Sequence, residues 1–149
     1  MNNIFNIDFQ EFIISLNQQK VKYILVGGYS VILRGYSRTT GDMDIWIEPS
    51  EENFLSLKKA FYNFGMSMHG LTLKKFLDTV HYDVFTYGRP PVCIEILTKV
   101  KGLTFPKAYK NAEWIEFEDF KVYVLSKNDL IEAKKATNRP KDLDDLEHL

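Results

Sequence analysis

Six residues, Asp42 to Ile47 (DMDIWI), constrain this chain more than any others. Read as a strand, they alternate between two faces: Met43, Ile45 and Ile47 share one, Asp42 and Asp44 the other. Arg38 and Thr40, spaced by two, continue the acidic face backwards. The apolar side is therefore the core side. The two aspartates then stand roughly 7 Å apart at their Cα atoms, at about 3.3 Å per residue. Two carboxylates at that distance repel by about 2 kcal/mol for an effective dielectric near 20. Folding alone supplies no reason to accept that cost beside a buried strand. A bound divalent cation does, because hard ions such as Mg²⁺ take oxygen ligands and keep part of their water. An isolated Asp-x-Asp would more simply be two solvated acids on a strand edge. The neighbouring sequence argues against that reading.

Upstream, Val21 to Val26 is a short apolar strand that ends in Gly27-Gly28. Glycine permits positive φ and lets a ligand approach the backbone closely. Tyr29 to Arg34 reads as a short helix closed by Gly35 as its C-cap. Its first amides and the Ser30 hydroxyl would face the strand end, which is the arrangement of a phosphate site.

Downstream, Val92 to Thr98 is a further core strand, and Glu95 interrupts its apolar run VCIEIL. The alternation sets Glu95, with Cys93 and Leu97, on the face away from Ile94 and Ile96. An ionised carboxylate in such a strand is expensive unless it is paired or bound to metal. A salt bridge to Arg38 or Lys134 is the structural alternative.

A Gly-Gly pair followed by R-x-T-x-D-x-D resembles the nucleotidyltransferase superfamily with the polymerase-beta-like fold, especially its small bacterial members. Those include minimal nucleotidyltransferases, relatives of antibiotic nucleotidyltransferases, and toxins of type IV toxin–antitoxin pairs. The resemblance extends into the C-terminal segment through L-I-x-x-K and then R-P-K-D. It implies an α/β (α+β) fold, a mixed sheet flanked by helices. It implies that Gly27, Gly28 and Ser30 hold phosphates of a nucleoside triphosphate, with Arg38, Thr40 and Lys134 on the nucleotide side. Asp42, Asp44 and Glu95 would be the catalytic acids and the ligands of Mg²⁺ or Mn²⁺. The usual third acid of the superfamily is Asp, and this chain has Glu. Arg139, Lys141 and Asp142 match a structural and phosphate-side network. The implied activity is Mg-dependent transfer of a nucleoside monophosphate from an NTP such as ATP to a hydroxyl. The implied acceptor is a small molecule, a transfer RNA or a protein, and a cognate antitoxin is a further expected partner. The rival expectation is a catalytically degenerate relative that binds a nucleotide or a protein and regulates a partner.

The remaining chain supplies scaffold. Asp8 to Asn17 predicts a first helix with Asp8 as cap and Phe9, Phe12, Ile13 and Leu16 on one stripe. Ser50 caps a second amphipathic helix carrying Phe54, Leu57, Ala60, Phe61 and Phe64, and Gly65 ends it. A short helix falls within Met66 to Thr79. Tyr82 to Thr86 is a strand and Gly88-Arg89-Pro90-Pro91 a turn. Gly102 to Asn111 contains a short helical piece. Trp114 to Phe117 and Lys121 to Leu125 form a hairpin turned by Glu118-Asp119. Ser126 caps a helix with Leu130, Ile131, Ala133 and Ala136. Pro140 opens a last helix whose apolar positions are Leu143, Leu146 and Leu149. His69 and His81 lack metal-ligand spacing and read as surface residues.

At 149 residues the chain predicts one domain spanning 1–149. Its single cysteine excludes an internal disulfide, and Cys93 reads as a buried small hydrophobe in a reducing cytoplasm. No apolar run approaches a membrane span, and MNNIFNIDFQ lacks a signal-peptide pattern. A net charge of −1 gives no general attraction to nucleic acid. The local lysines and arginine of the C-terminal segment (Lys127, Lys134, Lys135, Arg139, Lys141) are interrupted by Asp129, Glu132 and Asp142.

Overall fold

The parity read from DMDIWI is the organising feature of a six-stranded mixed sheet with a helical layer on each face. The computed structural model describes residues 5–89 and 92–149, with backbone alone for Arg89 and Val92. The elements run α1 (Ile7–Gln18), β1 (Tyr23–Val26), α2 (Gly27–Leu33), β2 (Asp42–Ile47), α3 (Glu51–Phe64), α4 (Leu73–Leu77), β3 (Val84–Arg89), β4 (Val92–Leu97), α5 (Phe105–Asn111), β5 (Glu113–Glu116), β6 (Lys121–Val124), α6 (Lys127–Thr137) and α7 (Pro140–His148). The strand order is β3-β4-β2-β1-β6-β5. β1 is antiparallel to β2 and parallel to β6, while β2 is parallel to β4. The α/β class with a mixed sheet is as expected.

Each face has its own core. Met43, Ile45 and Ile47, with Ile94 and Ile96, meet the apolar stripes of α1 and α3: Phe9, Phe12, Ile13, Leu16, Leu57 and Phe61. T-shaped contacts of Phe12 with Phe61 and Phe64 knit those helices together. On the other face Trp46 packs edge-on to Phe105, beside Val26, Val31, Leu125 and Leu130. The acidic ends of β2 and β4 emerge beside this second, smaller core.

Several boundaries differ from expectation. Asn6, not Asp8, caps α1, accepting the Phe9 N–H at 2.9 Å, and Asp8 lies in the first turn. β1 begins at Tyr23, and β2 at Asp42; Arg38 and Thr40 lie in the segment leading into β2. α2 begins at Gly27 itself and its C-cap is Arg34, so Gly35 lies one residue beyond. The reason is local. Gly27 takes φ +68°, which turns the strand directly into the helix without a loop. Ser50 and Ser126 cap α3 and α6 as expected. β3 extends to Arg89, while Pro90 and Pro91 of the expected turn lie outside the described residues.

The last helix overturns its expected face. Leu143 is exposed, and the residues that α7 buries are Asp142 and Asp145. α7 docks chiefly by charge; of the expected leucines, Leu149 packs, partly buried, against the second core. Tyr36 secures its outer end, donating its hydroxyl to Asp144 at 2.7 Å and stacking on His148 at 3.8 Å between centroids. Among the described residues no helix is long and apolar enough to cross a membrane.

Asn53 joins α3 to the sheet. It is buried, donates Nδ2–H to Lys22 O and Glu48 O, and accepts the Lys22 N–H at 2.8 Å. Replacement Asn53→Ala leaves those backbone groups unmet and should destabilise the fold by about 2 kcal/mol. Urea unfolding checks this, and an unchanged midpoint would contradict it.

Candidate active site

β2 and β4 run parallel with Asp42 beside Cys93 and Asp44 beside Glu95. In-register parallel neighbours send their side chains to the same face. Asp44 and Glu95 are therefore adjacent, and Glu95 is among the groups that shift the Asp44 carboxyl. Asp44 reflects this crowding. Burial raises its pKa first, followed by neighbouring Glu95 and the charge of Asp42. Lys141 opposes them, and the outcome is a value pushed up to about 7. Asp44 Oδ1 is buried with no hydrogen-bond partner.

The glycine corner makes this placement possible. Val26, the last residue of β1, pairs with Asp44. A Cβ on Gly27 would lie 2.0 Å from Asp44 Oδ2, and one on Gly28 would lie 2.4 Å from Thr40 Oγ1. Both glycines line the cavity, but the space above their α-carbons is filled by Asp44 and Thr40. Their smallness serves the carboxylate and the 38–41 segment as well as any ligand.

Ser30 departs from expectation. It is fully buried, and its hydroxyl donates to Gly27 O at 2.6 Å, so it braces the corner from behind and is absent from the cavity wall. A serine one turn into a helix reaches back to a carbonyl of its own turn more readily than forward past the helix start.

The expected cations are present but already engaged. Arg38 donates Nε–H and Nη2–H to Asp145, at 2.8 and 3.1 Å. Lys134 lies buried between Asp142, at 3.2 Å, and Asp145, at 3.0 Å. Neither forms an ion pair with Glu95, which removes the structural alternative for that acid. Burial alone would raise Asp142, but hydrogen bonds from the Arg139 side chain, Thr137, the Arg139 amide and Lys134 hold it well below the usual carboxylate range. Sequence reasoning missed Asp145. The signal was its spacing of three from Asp142, which puts both acids on one helical face.

Together these groups surround a cavity of about 770 Å³. Gly27, Gly28, Arg38, Thr40, Asp42, Asp44, Glu95, Lys134, Arg139 and Lys141 line it, as does a turn not anticipated, Lys99-Val100-Lys101. Val26, Leu97, Leu125 and Leu130 supply aliphatic wall. The volume lies in the range of small-molecule and cofactor sites.

The three acids do not stand as a formed triad. Among the described residues no group of three or more His, Cys, Asp or Glu side chains is gathered as a metal site. Asp44 and Glu95 are the pair, and Asp42 lies exposed two residues along the same face. Three carboxylates without a counter-charge are not drawn together. The donor set nevertheless fits a hard divalent cation: every donor is oxygen, one oxygen is buried without a partner, and the charge of Lys141 does not offset what raises the Asp44 pKa. His69 and His81 are exposed; His81 contacts Asp78.

A mixed sheet with paired acids beside a glycine corner is the arrangement that the resemblance to nucleotidyltransferases implies. Residues 2–149 match the model of the family called "Nucleotidyltransferase of unknown function (DUF6036)", and the chain belongs to that family. A search of curated protein sequences finds no match. Among solved structures it resembles TM1012 of Thermotoga maritima, whose own assignment as a nucleotidyltransferase is provisional. The TM-score is 0.62 at 17% identity, over 93% of this chain and 88% of that one. At that identity the likeness establishes the fold.

The Asp44 shift carries a pH dependence. With the folded pKa above the unfolded one, the folded state binds more proton between about pH 4 and 7. The contribution is complete below the unfolded value and is lost as pH rises through about 7. In EDTA, the urea midpoint of the wild type should therefore fall from pH 5 to pH 8 more steeply than that of Asp44→Asn. Asp142, shifted downward, adds nothing to that window. Equal slopes in the two proteins would contradict the assignment.

Proposed function

We propose that this protein transfers a nucleoside monophosphate from a nucleoside triphosphate to a hydroxyl of an acceptor, with release of pyrophosphate. The observation that carries the reading is the in-register pair Asp44–Glu95, with Asp42 on the same face, set against the Gly27-Gly28 corner. No requirement of the fold explains an unneutralised acid pair there; a metal–triphosphate substrate does.

In this reading Asp42, Asp44 and Glu95 hold Mg²⁺ or Mn²⁺. The metal supplies Lewis-acid polarisation of the phosphoryl oxygens and lowers the pKa of the attacking hydroxyl. The corner amides and Thr40 receive the triphosphate, and Arg38 and Lys134 face the departing pyrophosphate with donors fixed in advance by Asp142 and Asp145. The acceptor oxygen forms its bond to the α-phosphorus as the bond to the bridging oxygen breaks. Pyrophosphate carries away that electron pair, and the hydroxyl proton passes to Glu95. Glu in place of the usual Asp lengthens the reach of that acid by about 1.5 Å, the length of one C–C bond.

A second reading, binding without transfer, draws on the prior pairing of Arg38 and Lys134 with α7 acids, which leaves less free charge for a triphosphate. The two readings part in one assay. Purified protein is incubated with α-labelled ATP, CTP, GTP and UTP, cell lysate and Mg²⁺. The transferase reading expects label on an acceptor and stoichiometric pyrophosphate. Triphosphate binding without either favours the second. Asp42→Asn should reduce pyrophosphate release at least a hundredfold while leaving the fold intact; turnover at the wild-type rate would defeat the assignment.

A further inference from the structure

Apart from Lys141, whose charge acts on Asp44, the cations around the cavity fall into two groups. Arg38, Lys134 and Arg139 are each bound by buried carboxylates of α7. Lys99 and Lys101 line the same cavity, and among the described residues neither enters an ion pair or hydrogen bond through its side chain. Their charge is uncompensated.

The turn that carries them is held in place. The Thr98 N–H donates to Asp83 O at 3.1 Å and the Leu103 N–H to Val100 O at 3.2 Å. Gly102, at φ +87°, lies so close to α6 that a Cβ would stand 2.7 Å from that of Ala136. A left-handed residue against a helix leaves the turn little freedom. The two lysines are thus presented from a fixed backbone.

Register fixes where they lie. β1 ends at the glycine corner, with Val26 beside Asp44. β4 runs the opposite way, passing Glu95 beside Asp44 and ending at Leu97 beside Trp46, and the turn with Lys99 and Lys101 follows it. The corner follows β1 and the lysine turn follows β4, and β2 with its acids lies between those two strands. A triphosphate seated at the corner puts its α-phosphorus at the acids and its negative charge behind them. What lies beyond is the nucleoside, which is uncharged, and the acceptor. Two unpaired lysines there suit an anion, and the nucleoside has none to offer.

We propose that Lys99 and Lys101 form a second anion subsite, remote from the glycine corner, which takes a phosphate group of the acceptor. The acceptor class is then a phosphate ester carrying a free ribose-type hydroxyl, either a small sugar phosphate or a nucleic-acid end. This rests on the transferase reading for the triphosphate's place, and the test separates the two.

Ribose 5-phosphate and an RNA hexanucleotide serve as probes. Each is titrated into wild type, Lys99→Gln/Lys101→Gln and Lys99→Arg/Lys101→Arg, with and without Mg²⁺ and an α,β-methylene triphosphate analogue. The glutamine variant should bind at least one probe tenfold more weakly than wild type, the arginine variant within threefold, and the analogue itself within twofold in all three proteins. The probe that binds identifies the source of the phosphate. Equal probe affinity in wild type and the glutamine variant overturns the subsite, as does binding of neither probe. A loss of analogue affinity matching the loss of probe affinity overturns it too, since the lysines would then serve the triphosphate. Failure of the analogue to bind wild type contradicts the transferase reading alone, and the titrations without nucleotide still decide the subsite.

Discussion

Two acids forced side by side by strand register are the constraint on which the rest of this structure depends. Asp44 and Glu95 come together because β2 and β4 are parallel and in register, and neither can turn away without breaking its strand's alternation. Burial first, and the neighbouring acids after it, disfavour the ionised Asp44 carboxylate and raise its pKa. The surroundings add to the tension. Gly27 is small where Asp44 needs room, and Asp44 Oδ1 finds no donor. Conflicts of this kind between local chemistry and fold stability concentrate at functional sites.

The second polar assembly has the opposite character. Asp142 and Asp145 are buried yet fully met, by Arg38, Lys134, Thr137 and Arg139. Buried ion pairs pay for desolvation with geometry and contribute little net stability, but losing one partner is costly. Here they fix position: two cations on separate segments, the lead-in to β2 and α6, are held to one helix at the rim of the cavity. α7 is consequently part of the site, while Leu143 stays exposed and Leu149 packs only at the margin of the second core.

Much of this was legible in the sequence, and for a definable reason. Strand alternation in DMDIWI and VCIEIL has a period of two, so the faces of Asp42, Asp44 and Glu95 follow once the strands are assigned. Caps at Ser50 and Ser126 are local chemistry and are equally readable. Properties that depend on tertiary neighbours were not. Ser30 turns back to Gly27 O because its helix starts two residues earlier than the periodicity suggests. The stripe Leu143, Leu146, Leu149 has helical spacing, but the opposite stripe of acids found buried cations, and charge overrode hydrophobicity. Lys99 and Lys101 carry no signal in sequence; only the parallel crossover brings the end of β4 to the cavity.

The central claim is that Asp42, Asp44 and Glu95 hold a divalent cation together with a triphosphate. Electron paramagnetic resonance of Mn²⁺, titrated into the protein with an α,β-methylene triphosphate analogue, tests it most directly. The account predicts one or two Mn²⁺ bound per chain, dependent on the nucleotide and lost in Asp44→Asn. Mn²⁺ bound equally by wild type and Asp44→Asn, or nucleotide binding indifferent to both metal and Asp44, would contradict it.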